Sequence, residues 1–120
     1  MATIFIVDDE PVLHELYSSV LEIGGHEIVA NAHDGDEAVE IFKGMNEHPD
    51  VIIMDHRMPN KNGIDATKEI LEIKPDMNIL FASADLNVEG DALESGARSF
   101  LSKPFAIADL LAMVEEMVGE

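Results

Sequence analysis

The chain has 120 residues, 47% of them hydrophobic, which suits one globular domain with a self-sufficient core. Its 25 Asp+Glu against 7 Lys+Arg leave a formal net charge of −18, and that excludes the basic surface on which nucleic-acid or anionic-membrane binding relies. With no cysteine, disulfides, thiol nucleophiles and zinc–thiolate sites are excluded as well.

Thr3 to Val7 is a β-branched, aromatic-containing run that reads as a strand leading into Asp8, Asp9 and Glu10. The apolar part, Ile4 to Val7, is too short for a signal peptide or a membrane span, so a cytoplasmic protein is the default expectation. Pro11 suits the first turn of a helix, and Val12/Leu13, Leu16/Tyr17 and Val20/Leu21 continue it as one apolar stripe. Gly24 and Gly25 end it. His26 to Ala32 is a more polar strand, expected at a sheet edge, and Asp34-Gly35 turns into a helix over Asp36 to Met45.

Val51 to Met54 is an unbroken apolar run bounded by turn signals, the pattern of a strand buried on both faces, and it delivers Asp55 at its carboxyl end. Ile64 to Lys74 follows as a helix with Ile64, Thr67, Ile70 and Leu71 facing inward, stopped by Pro75. Asn78 to Ala82 is a buried strand running to Ser83. A weak helix over Val88 to Ser95 contains Gly90 and has Val88 and Leu93 as its only large apolar residues. Ser99 to Ser102 is the last strand, followed by Lys103-Pro104, and Ala106 to Val118 is the closing helix. That helix has a broad apolar arc, which places Met113 and Met117 at its exposed rim.

Strict alternation of strands and helices predicts an α/β fold: a five-stranded parallel sheet, order 2-1-3-4-5, with helices on both faces. In that order the binding crevice opens between the first and third strands. Asp8 and Asp9 arrive there from one side and Asp55 from the other. Three converging carboxylates repel one another unless a cation joins them, and an all-oxygen ligand set selects a hard cation such as Mg²⁺. Ser83 adds a hydroxyl and Lys103 an ammonium at the same edge. A hard cation, a lysine and a hydroxyl around one carboxylate form a site for a phosphoryl group. The five histidines, His14, His26, His33, His48 and His56, show no metal spacing and read as surface residues, with His56 notable for flanking Asp55.

These residues carry a resemblance. Asp8-Asp9, Asp55 with Met58-Pro59, Gly63, Ser83-Ala84, Gly96-Ala97 and Lys103-Pro104-Phe105 are similar, over Thr3 to Val118, to the receiver domain of two-component response regulators, the CheY-like fold. The resemblance implies one receiver domain over 1–120, free-standing or cut from a longer protein. It implies that Asp55 accepts a phosphoryl group from a histidine kinase. Asp9, Asp55 and the Arg57 carbonyl would bind Mg²⁺, with Asp8 acting largely through water. Ser83 and Lys103 would contact phosphoryl oxygens, and Phe100 would turn inward with Ser83 as the aromatic switch. A cis peptide is expected at Lys103-Pro104, which would aim Lys103 at the site.

The implied module is not an enzyme beyond its own aspartyl phosphorylation and dephosphorylation. It would be a monomer or weak dimer that docks on a downstream target or a phosphotransfer protein. The output face would be the weak helix, the last strand and the closing helix. Three positions depart from the usual pattern: Ser83 for threonine, Phe100 for tyrosine, and Asn60 for glycine. The competing reading is a Mg²⁺-dependent phosphohydrolase of the haloacid dehalogenase type. It too forms an aspartyl-phosphate, but it wants its nucleophile in a D-x-D motif after the first strand.

Overall fold

The computed structural model describes residues 2–103 and 105–118. Five parallel strands, β1 (Thr3–Val7), β2 (Glu27–Ala32), β3 (Val51–Met54), β4 (Asn78–Ser83) and β5 (Ser99–Ser102), form one sheet in the order β2-β1-β3-β4-β5, as the alternation predicts. The two most continuous apolar runs, β1 and β3, lie side by side in its middle, with Val7 opposite Met54. Strands β2 and β5, with more polar residues, are the edges.

Because side chains alternate along a strand, the sheet has two dry faces. Phe5, Val7, Ile52, Met54, Ile79 and Phe81 point to one, where α2 (Gly35–Gly44), α3 (Gly63–Ile73) and the short α4 (Glu89–Glu94) cover them. Ile4, Ile6, Val51, Ile53, Leu80 and Ala82 point to the other, covered by α1 (Pro11–Ile23) and α5 (Ile107–Val118). Helix starts follow local chemistry. The Asp34 side chain accepts from the Glu37 N–H at 2.8 Å and caps α2; Asn62 accepts from the Asp65 N–H at 2.9 Å and caps α3.

Several expectations need correcting. The single apolar stripe of α1 divides: Tyr17, Val20 and Leu21 are buried, whereas Val12 is 72% exposed and Leu16 45%. Around the helix Leu21 and Val20 lie within about 60° of Tyr17, whereas Leu16 and Val12 lie about 100° and 140° away, so these two turn off the sheet. In α5 the exposed apolar residues are Ile107 and Val118, and Met113 and Met117 pack half-buried against the core. The weak helix is a 3₁₀ turn over Leu86–Val88 followed by six α-helical residues, with Val88 buried and Leu93 exposed. His14 and His26 are buried rather than on the surface. His26 Nδ1 accepts from the Ala2 N–H at 3.1 Å, and His14 contacts the site described below. The expected cis peptide involves Pro104, which lies outside the described residues.

The loop from β3 to α3 is shaped by two residues. Asn60 sits at φ 69°, a left-handed conformation that asparagine tolerates, and its amide donates to Asp34 at 2.9 Å. Asparagine therefore serves where glycine is the commoner choice. At Gly63 the helix start presses on the strand end: its N–H donates to the His56 carbonyl at 3.0 Å, and an added Cβ would meet the Asp55 carbonyl at 2.0 Å. Relief requires moving backbone next to Asp55. Gly63→Ala is expected to cost roughly 2–4 kcal/mol in urea unfolding. Gly44→Ala, where nothing lies within 4 Å, should be neutral or slightly stabilising.

Candidate functional site

Strands β1 and β3 are central and parallel, but the chain leaves β1 toward one edge and β3 toward the other, so their carboxyl ends border an open crevice. Asp8 and Asp9 follow β1, Asp55 follows β3, Ser83 ends β4 and Lys103 follows β5. The structure brings all five together. One oxygen from each of Asp8, Asp9 and Asp55 lies within 4.8 Å of the others, with Asp8 and Asp55 buried and Asp9 exposed. Asp9, Asp55, Arg57, Ser83 and Lys103 line one cavity, together with Asp85 and Asn87.

Lys103 holds this group. Its Nζ donates to Asp8 Oδ2 at 2.9 Å and reaches Asp55 Oδ1 at 3.5 Å. Burial by itself would lower the lysine, but the Asp8 hydrogen bond and the nearby Tyr17, Asp55 and Asp8 outweigh it and hold it above its ordinary value. Asp55 is pushed up to about 6, first by burial, with Lys103 opposing and the Asp8 charge reinforcing. A single ammonium against three carboxylates leaves the crevice acidic, and a small divalent cation with oxygen ligands suits what remains. Asp8, Asp9 and Asp55 fit such an ion by donor type and mutual distance.

At the mouth, Arg57 donates to Asp85 at 3.0 Å, and this bond lowers the Asp85 carboxyl. The Ser83 hydroxyl accepts from the Asp85 N–H at 3.1 Å, which orders the turn after β4. Phe100, half-buried, stacks on Phe81 with ring centroids 6.2 Å apart.

Two residues on α1 escaped sequence reasoning. Tyr17 is buried beneath the crevice, stacked on Phe105 at 6.0 Å. Its phenol is pushed up to about 12, chiefly by burial, and its hydroxyl has no hydrogen-bond partner among the described residues. His14 contacts the Asp8 main chain. No motif marks either; only the identity of the inward face of α1 reveals them.

A family model described as the response regulator receiver domain matches residues 4–115. The chain belongs to that family. The receiver is 38% identical over 104 residues to the chemotaxis protein CheY of Thermotoga maritima, covering 85% of each chain. It superposes with a TM-score of 0.92 on the CheY of a Borrelia burgdorferi CheX-CheY-BeF3-Mg complex, at 28% identity over 98% of this chain and 90% of that one. With Thermotoga maritima TrrA, solved with Mg²⁺ and beryllofluoride, the TM-score is 0.87 at 31% identity, covering 98% and 99%. This receiver is thus a two-component signalling domain, and the matches do not favour the phosphohydrolase reading. Among the described residues no helix is long and apolar enough to cross a membrane.

The raised Asp55 fixes a sign for pH dependence. An unfolded carboxyl ionises near 3.8, and the folded one near 6. Between those values the folded state keeps a proton that the unfolded state has released, so stability falls as pH rises. Above pH 6 the ionised, buried carboxylate costs roughly 2–3 kcal/mol. Asp55→Asn in metal-free buffer should therefore be more stable than the unsubstituted protein at pH 8. Its advantage should shrink toward zero near pH 4, as read by chemical denaturation at each pH.

Proposed function

We propose that Asp55 accepts a phosphoryl group from the phosphohistidine of a histidine kinase, and that the receiver then signals by docking on another protein. The observation that carries this is the Lys103 ammonium bridging Asp8 and Asp55 at 2.9 and 3.5 Å inside an acidic crevice bordered by the Ser83 hydroxyl. An Asp55 oxygen attacks phosphorus in line, the N–P bond breaks, and its electron pair returns to the imidazole. Lys103 and Ser83, which line the crevice beside Asp55, would bind the phosphoryl oxygens as they gather charge and orient the group. Asp9, Asp55 and the Arg57 carbonyl would hold Mg²⁺, with Asp8 acting through water; when bound, the ion neutralises phosphoryl charge. Return to the resting state is attack of water on phosphorus with cleavage of the P–O bond to Asp55.

The exposed apolar residues Val12 and Leu16 on the first turns of α1, beside the crevice, suit docking of the kinase or of a phosphotransfer protein. The face made by α4, β5 and α5, with Leu93 and Ile107 exposed and Phe100 beneath, suits output to a downstream target. Activity as a monomer or weak dimer in the cytoplasm is part of the same proposal.

Acetyl phosphate with Mg²⁺ should raise the intact mass by one phosphoryl group. Asp55→Asn or excess EDTA should abolish the gain, and labelling that persists in either case overturns the assignment. The Arg57–Asp85 pair across the mouth should hinder an attacking water. Asp85→Ala should therefore dephosphorylate several-fold faster, and rates unchanged within error in both Asp85→Ala and Arg57→Ala would retire that gate.

A further inference from the structure

Asp8 is engaged at every polar atom. Its N–H donates to the Ala32 carbonyl at 3.1 Å, Oδ1 accepts from the Glu10 N–H at 3.0 Å, and Oδ2 accepts from Lys103 at 2.9 Å. Its carbonyl oxygen lies 2.6 Å from His14 Nε2. A carbonyl can only accept, so Nε2 carries the proton and donates. The other ring nitrogen, Nδ1, lies 2.6 Å from Asn31 Oδ1; with Nε2 donating, Nδ1 of the neutral ring can only accept, so the Asn31 amide turns its NH₂ toward the ring and donates. The buried imidazole thus ties α1 to the end of β1 and to β2.

The Asp8 carbonyl shares one rigid peptide plane with the Asp9 N–H. Fixing that oxygen fixes the plane, and with it the direction in which Asp9 leaves the strand. Octahedral coordination by a small hard cation tolerates little error in where its carboxylates stand. Groups that orient ligands in this way matter to metal affinity without touching the ion.

We propose that His14 is a positioning residue, which sets the Asp8–Asp9 peptide and thereby aims the carboxylate pair that would hold the divalent cation. This rests on the reading of the crevice as a Mg²⁺ site given above. The alternative is that the imidazole fills space beneath the strand end and nothing more.

Three substitutions separate the two. His14→Leu fills the volume without a donor, and His14→Gln keeps an amide N–H at the reach of Nε2. His14→Asn is too short to reach Asp8 and should behave like His14→Leu. It serves as the variant with no donor in reach of the Asp8 carbonyl if His14→Leu fails to fold. The measurements are the Mg²⁺ dissociation constant by calorimetry and amide exchange at Asp9 and Glu10 in metal-free protein. His14→Leu should weaken Mg²⁺ binding about tenfold and speed both exchanges, with His14→Gln close to the unsubstituted protein. Mg²⁺ affinity and exchange unchanged in His14→Leu, or His14→Gln impaired as much as His14→Leu, overturns the proposal. If the unsubstituted protein binds no Mg²⁺, the metal-site reading fails, and unchanged exchange would then separately remove His14 from its role.

Discussion

Electrostatic repulsion among Asp8, Asp9 and Asp55 is the constraint around which the carboxyl edge of the sheet is built, and Lys103 is the group that answers it. Carboxylates this close disfavour shared ionisation, and burial of two of them removes the water that would otherwise screen them. One ammonium from β5 reaches across β4 and β3 to Asp8, and on the way it comes within 3.5 Å of Asp55. The geometry thus ties the far edge of the sheet to its centre. Anything that alters charge at Asp55 alters what Lys103 is pulled toward, and the turn after β4, carrying Ser83 and Asp85, lies along that route.

Much of this was legible in the sequence because a parallel sheet writes its function at strand ends. Each of Asp8, Asp9, Asp55, Ser83 and Lys103 directly follows or ends an apolar run, and strict alternation fixes which ends come together. Helix faces were harder. In α1 the residues at four-residue spacing form two adjoining sets, Val12 and Leu16 beside Tyr17 and Leu21, and periodicity cannot say which one meets the sheet. The roles of His14 and Tyr17 follow from that choice, so they stayed hidden with it. In α5 the flexible methionines turn inward, where thioethers fill irregular space, and the β-branched Ile107 and Val118 remain outside.

The three helices on one face of the sheet differ in how firmly they are held. The sheet face covered by α2, α3 and α4 gains caps at Asp34 and Asn62, and Lys61 bonds Glu69 of α3 and approaches Asp36 of α2. At the α4 end this reinforcement stops: six helical residues carry Gly90 and one buried side chain, Ala92. Local opening draws on regions with few buried contacts. That end adjoins β5 and Phe100, where the crevice meets the proposed output face.

The Lys103–Asp8 contact spans 95 positions of chain. During vectorial synthesis the carboxylates of β1 and β3 emerge long before their cation, so a nascent chain through β4 has an acidic centre without its counter-charge. Closing the sheet with β5 is then electrostatic completion as well as strand addition. Asp55 acquires its ammonium neighbour only after Lys103 has been synthesised, so the charge balance of the crevice waits on the strand that closes the sheet.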